Sequence, residues 1–94
     1  MGTLPTKMHA SRNQALVEAF AAELRTCREA LGVSQEALAR LAGVNRTFVG
    51  RLELAQNQPS ISVLFHLSDA LGLTPEAFIT KIRARLKSMS KAGK

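Results

Sequence analysis

Apolar positions recur at helical spacing along the whole chain, and no run alternates apolar with polar residues as a half-buried strand would. The pattern predicts an all-α fold of five short helices. A first helix begins near "SRNQ", where Ser11 or Asn13 can cap it, and carries Leu16, Phe20, Leu24, Cys27 and Leu31 on one stripe. Gly32 ends it. Ser34 caps a second helix that runs to about Leu41 and stops at Gly43, and Asn45 caps a third that runs to about Leu54. Pro59 closes the next loop, and Ser60 caps a fourth helix with Ile61, Leu64, Leu67 and Leu71 inward and Gly72 as its stop. Thr74, with Pro75 at the first helical position, opens a fifth. Residues 1–10 and 88–94 ("SMSKAGK") lack periodicity and are expected to be flexible arms, leaving 11–87 as one folded domain.

Composition narrows this picture. With 94 residues, 46% of them hydrophobic and 21% charged, the chain can build one small core and not two. No apolar run approaches the ~18 to 20 residues of a membrane span, and "MGTLPTKMHASRNQ" has no secretory h-region. The expected setting is cytoplasmic, with no membrane partner. The single cysteine, Cys27, excludes an intrachain disulfide. The net charge of +6 is unevenly placed, because Lys7, Arg12, Arg25, Arg28, Arg40, Arg46 and Arg51 are balanced by Glu18, Glu23, Glu29, Glu36, Glu53, Asp69 and Glu76. The excess is therefore Lys81, Arg83, Arg85, Lys87, Lys91 and Lys94, an unshielded C-terminal patch that either solubilises the chain or attracts polyanions.

The centre, "SQEALARLAGVNRTFVGRLE", places two stubby helices around a glycine corner, which is a helix-turn-helix arrangement. Ala39 is small where the two helices cross closely, and Gly43 supplies the positive φ of a sharp corner. Val44 and Val49 are expected inside, with Leu38 and Leu52 as anchors to the rest of the core. Asn45, Arg46, Thr47, Gly50 and Arg51 then face outward. Phe48 either packs under the corner of the first two helices or touches thymine methyls.

From Leu24 to Leu73 the chain resembles the Cro/repressor-type (Xre) helix-turn-helix family of prokaryotic and phage DNA-binding regulators, through "LRTCREALGVSQEALARLAGV", "NRTFVGRLE", Pro59 and "SVLFHLSDALGL". "NRTFVGRLE" also looks like the recognition helices of restriction-modification controller proteins. The resemblance implies a five-helix, lambda-repressor-like DNA-binding domain. It implies that Gln35 meets a phosphate and the edge of the site, and that Arg46, Thr47 and Arg51 meet base edges in the major groove. Arginine suits that role because its fork can donate to both O6 and N7 of guanine. Arg28 and Glu53 match a structural ion pair that pins the third helix to the first.

The chain departs from the family pattern at specific positions. Gly50 stands where a polar residue is usual, at a cost of about 1 kcal/mol in helix propensity. It either removes a contact or lets the helix lie closer to DNA. Ala55 replaces a glycine, which predicts a less tight turn. The loop "AQNQPS" has no lysine or arginine, so Gln56, Asn57, Gln58 and Ser60 are the candidate phosphate donors there.

His9, His66 and Cys27 form no metal or nucleophile constellation, and no phosphate-binding Gly-rich loop or paired carboxylates occur, so neither catalysis nor a cofactor is expected. One recognition helix covers too few base pairs for useful specificity, which points to a homodimer. Ile79, Ile82 and Leu86, at i, i+3 and i+7, are the expected dimer contact, with packing against the first helix as the alternative. The resulting expectation is a homodimeric, sequence-specific transcriptional regulator on double-stranded DNA. A controller protein, a phage-type repressor and an antitoxin all fit, and no small-molecule ligand is expected. The alternative is a protein-interaction module on the same fold, binding a toxin or regulator and DNA only weakly.

Overall fold

The computed structural model describes residues 13–92, and they form α1 (Gln14–Leu31), α2 (Gln35–Ala42), α3 (Arg46–Glu53), α4 (Ile61–Ala70) and α5 (Pro75–Ala92). No strand occurs among the described residues, so the expected all-α class stands. The helix starts are set by side-chain caps. Asn13, Ser34, Asn45, Ser60 and Thr74 each accept a hydrogen bond from the backbone N–H three residues on, at 3.0, 3.0, 2.8, 3.1 and 3.0 Å. Caps of this kind contribute about 1 kcal/mol each. Asn13 is thus the cap of α1; Ser11, the other candidate, lies outside the described residues, as do Lys7, His9 and Arg12.

The long helices α1 and α5 pack side by side, while α2 packs on α3 and α4, and α3 also reaches α1. Leu24, Leu38, Val49, Leu52, Leu67 and Phe78 are fully buried between them. The Phe20 and Phe78 rings tie α1 to α5 in a tilted arrangement, with centroids 6.0 Å apart. Ala19 and Ala21 are buried as well, because small side chains let the neighbouring helices approach α1.

The packing departs from the sequence expectation in several places. Ile61, expected inward, is 69% exposed. It is the first residue of α4, and helical side chains lean toward the N-terminus, so it projects past the end of the core. Leu16 and Leu31, on the terminal turns of α1, are also exposed. Val44 is half-buried against the core rather than fully enclosed. Residues 88–92, expected to be part of a flexible tail, continue α5 instead. Met89 explains this extension, since it packs against the core one turn beyond Leu86 and prolongs the stripe of Phe78 and Ile82. Ile82 is only 6% exposed, so the expected dimer stripe is largely covered by the chain's own core, with Ile79 exposed and Leu86 half-buried.

Candidate nucleic-acid interface

The corner between α2 and α3 is built on Gly43, whose φ of +74° lets the Val44 N–H reach the Ala39 carbonyl at 2.9 Å. Ala39, Val49 and Leu52 lock the underside of the pair. With those residues inward, 3.6 residues per turn leave Arg46, Thr47 and Arg51 exposed on the outer face of α3. Asn45 is exposed too, but its side-chain oxygen is committed to capping α3 at the Phe48 N–H. Phe48 is half-buried and packs against the core.

At its inner end α3 is fixed by Glu53, which is buried. Arg28 donates to it twice, Nε to Oε2 at 2.6 Å and Nη2 to Oε1 at 3.0 Å, and sends Nη1–H to the Val33 carbonyl at 2.9 Å. The hydrogen bonds to Glu53 raise the pKa of the Arg28 guanidinium, outweighing the opposite pull of burial. The side-chain NH2 of Gln35 also donates to Glu53 Oε1, at 3.0 Å. Gln35, expected on the phosphates, is therefore half-buried and tied to the α3 anchor. Gly50 is not simply outward either, since a Cβ there would lie 3.7 Å from Gln35 Oε1.

The turn after α3 is as tight as a glycine would make it. Ala55 takes a φ of +60°, and the Gln56 N–H reaches the Arg51 carbonyl at 2.9 Å. Beyond it, Gln56 is exposed and Asn57 half-buried, while Ser60 Oγ caps α4 at the Val63 N–H.

The basic C-terminal patch is smaller than its composition suggests. Arg85 donates Nε–H to Glu23 Oε1 at 2.8 Å and Nη2–H to Thr26 Oγ1 at 3.1 Å, so it is neutralised against α1. Lys81, Arg83 and Lys87 remain exposed on α5. The other Glu23 oxygen accepts from the half-buried Cys27 thiol at 3.3 Å. Burial, with the hydrogen bond and charge of Glu23, pushes that thiol up to about 11. It is protonated at neutral pH and a poor nucleophile. His66 is exposed on α4, and no group of His, Cys, Asp or Glu among the described residues is placed to hold a metal ion. No helix among the described residues is long and apolar enough to cross a membrane.

A family model described as a helix-turn-helix domain matches residues 19–78, the stretch that holds this corner and its anchors. The chain belongs to the helix-turn-helix family. It is 38% identical over 63 residues to an HTH-type transcriptional regulator of Haemophilus influenzae, covering 67% of this chain and 64% of that protein. The chain thus spans just under two thirds of that relative's length. It is 31% identical over 64 residues to the control protein C.SmaI of Serratia marcescens, covering 68% of this chain and 76% of that one. The crystal structure of the restriction-modification controller protein C.AhdI from Aeromonas hydrophila superposes with a TM-score of 0.66 at 37% identity, covering 69% of this chain and 94% of that one. The Cro/repressor-type resemblance is borne out at the level of the helix-turn-helix family. Within this family member, sequence reasoning missed the Glu23–Arg85 pair and the tie from Gln35 to Glu53, neither of which any local motif signals.

Proposed function

We propose that this helix-turn-helix protein is a transcriptional regulator that binds operator duplex DNA as a homodimer, with α3 laid in the major groove. The observation that carries the reading is the joint exposure of Arg46, Thr47 and Arg51 on a helix whose opposite face is fully buried. Such a helix has its reading groups outside and its orientation fixed from within. Arg46 and Arg51 offer planar forks suited to guanine O6 and N7, and Thr47 offers a hydroxyl and a methyl. Lys81, Arg83 and Lys87 add sequence-independent attraction for a polyanion.

The homodimer is supported by apolar surface left open on one chain. Leu16 and Ile79, 42% and 45% exposed, border a groove of about 370 Å³ whose wall includes Phe20, Leu64, Ile82 and Leu86. Ile61 and Phe65, one turn apart on α4, are 69% and 51% exposed. Large apolar side chains left exposed in groups are candidates for an interaction surface. A two-fold dimer would place its recognition helices on half-sites about one helical turn of DNA apart.

Selection from randomised duplex DNA at near-physiological salt, with wild type, Arg51→Ala and Arg83→Gln/Lys87→Gln, tests the reading. A two-fold symmetric motif whose guanine preference relaxes in Arg51→Ala supports operator recognition. If no motif emerges and only the α5 variant changes affinity, the corner is scaffold. The apolar groove then becomes the place to seek a protein partner, which is the interaction-module reading.

A further inference from the structure

The surroundings of Gln35 carry an inference about specificity that rests on the DNA-reading function proposed above. Its side-chain NH2 donates to Glu53 Oε1 at 3.0 Å, and that carboxylate is itself held by Arg28, which donates to Oε2 at 2.6 Å and to Oε1 at 3.0 Å. A primary amide has two unlike ends, and only the NH2 end can face an ionised carboxylate; reversed, two oxygens would meet. Glu53 therefore decides which way the Gln35 amide points. The opposite end, Oε1, turns toward α3 at Gly50, where a Cβ would lie 3.7 Å away. A side chain at position 50 would start in van der Waals contact with that oxygen. Here position 50 carries no side chain, and Thr47 and Arg51, to either side of it on α3, are exposed.

An acceptor oxygen together with the second N–H of the same amide is the pattern that complements the N6 amino group and N7 of adenine. We propose that Gln35, fixed in one amide orientation by Glu53 and left uncovered by Gly50, reads an adenine at the edge of each half-site, with Glu53 as its positioning residue. Gly50 then does not leave a contact missing on the recognition helix; it clears the space through which a residue of α2 reaches the bases.

The test uses the full chain and selection from randomised duplex DNA, with wild type, Gln35→Met and Glu53→Gln, each also melted by circular dichroism. Methionine keeps the length of Gln35 and removes its hydrogen bonds, while Glu53 stays paired with Arg28. The expected result is an adenine preference of about 10-fold at one position per half-site in wild type. That preference should flatten in Gln35→Met, with binding to a site lacking that adenine unchanged. A folded Glu53→Gln should flatten the same position; if it unfolds, Gln35→Met decides. Equal weakening on every sequence in Gln35→Met would make the contact a phosphate contact and overturn the inference. A lowered melting temperature with unchanged base preferences would make Gln35 purely structural and overturn it as well. Failure of wild type to select any motif would instead reject DNA reading itself, a separate outcome from either.

Discussion

Arg28 and Glu53, separated by 25 positions in sequence, are joined by hydrogen bonds of 2.6 and 3.0 Å that fasten α3 to α1. The pair adds less stability than its geometry suggests, because both groups were hydrated before folding. Removing one partner is another matter. Glu53→Ala strands the partly buried Arg28 guanidinium and frees the Gln35 amide, with an expected loss of about 3–5 kcal/mol. Urea unfolding followed by circular dichroism checks this, and a loss below about 1 kcal/mol would show the pair to be dispensable.

Ala55 is the clearest place where the sequence can be improved. An alanine in the left-handed region carries a steric cost of about 1–2 kcal/mol, offset in part by its lower entropy in the unfolded chain. Ala55→Gly is therefore expected to stabilise the protein by about 0.5–1 kcal/mol, read as a higher urea midpoint at unchanged slope. An unchanged or lower midpoint would mean that the turn relaxes in solution.

Glu23 and Arg85 provide a contrast between two halves of one ion pair. Arg85 side-chain exposure is 34% and that of Glu23 is 11%. Without Glu23, Arg85 can swing into water; without Arg85, the carboxylate keeps only the Cys27 thiol and sits largely dehydrated. Arg85→Ala should thus destabilise by about 1–3 kcal/mol, and more than Glu23→Gln. Denaturant unfolding of both variants at pH 7 measures the order, and the reverse order would overturn this account of burial.

These elements differ in how far the sequence announced them. The caps at Asn45 and Ser60 were readable because a cap needs only its own residue type and the next three N–H groups. Arg28–Glu53 was readable through the family pattern. Glu23–Arg85, 62 positions apart, was not, because it depends on which way α5 docks on α1. Composition alone had counted Arg85 as unshielded charge. The same docking accounts for Ile82. Its i, i+3, i+7 spacing with Ile79 and Leu86 identifies a stripe but does not say whether the chain's own α1 covers it. At Gln35 the family resemblance implies a DNA contact, whereas the tie to Glu53 depends on the crossing of α2 and α3 and is visible only in the structure. The tight turn at Ala55 is not legible from residue type, because a single alanine can be held at positive φ by the hydrogen bonds around it.

Cys27 gives the stability a pH dependence with a definite sign. Its pKa is raised from 9.0 to about 11 by burial and by Glu23, so the folded state holds the thiol proton more tightly than the unfolded chain. The associated stability is complete below pH 9 and is lost as pH rises toward 11. Wild type should therefore lose more stability than Cys27→Ala between pH 8 and pH 10.5 in urea unfolding. Parallel losses in the two proteins would place the titration elsewhere.

Ile79 and Ile82 separate assembly from folding on one helix. Ile82 is 6% exposed and belongs to the core, so Ile82→Asp should unfold the chain. Ile79, one turn earlier and 45% exposed, borders the apolar groove without filling the interior. Ile79→Asp is expected to leave the helical circular dichroism and melting profile nearly intact. In a two-fold dimer it would set a carboxylate into each copy of the apolar contact, weakening self-association by about 10-fold or more. Sedimentation equilibrium across a concentration series distinguishes the cases. A dimer that persists unchanged in Ile79→Asp would move the interface away from this groove, with the exposed Ile61 and Phe65 of α4 as the next surface to substitute.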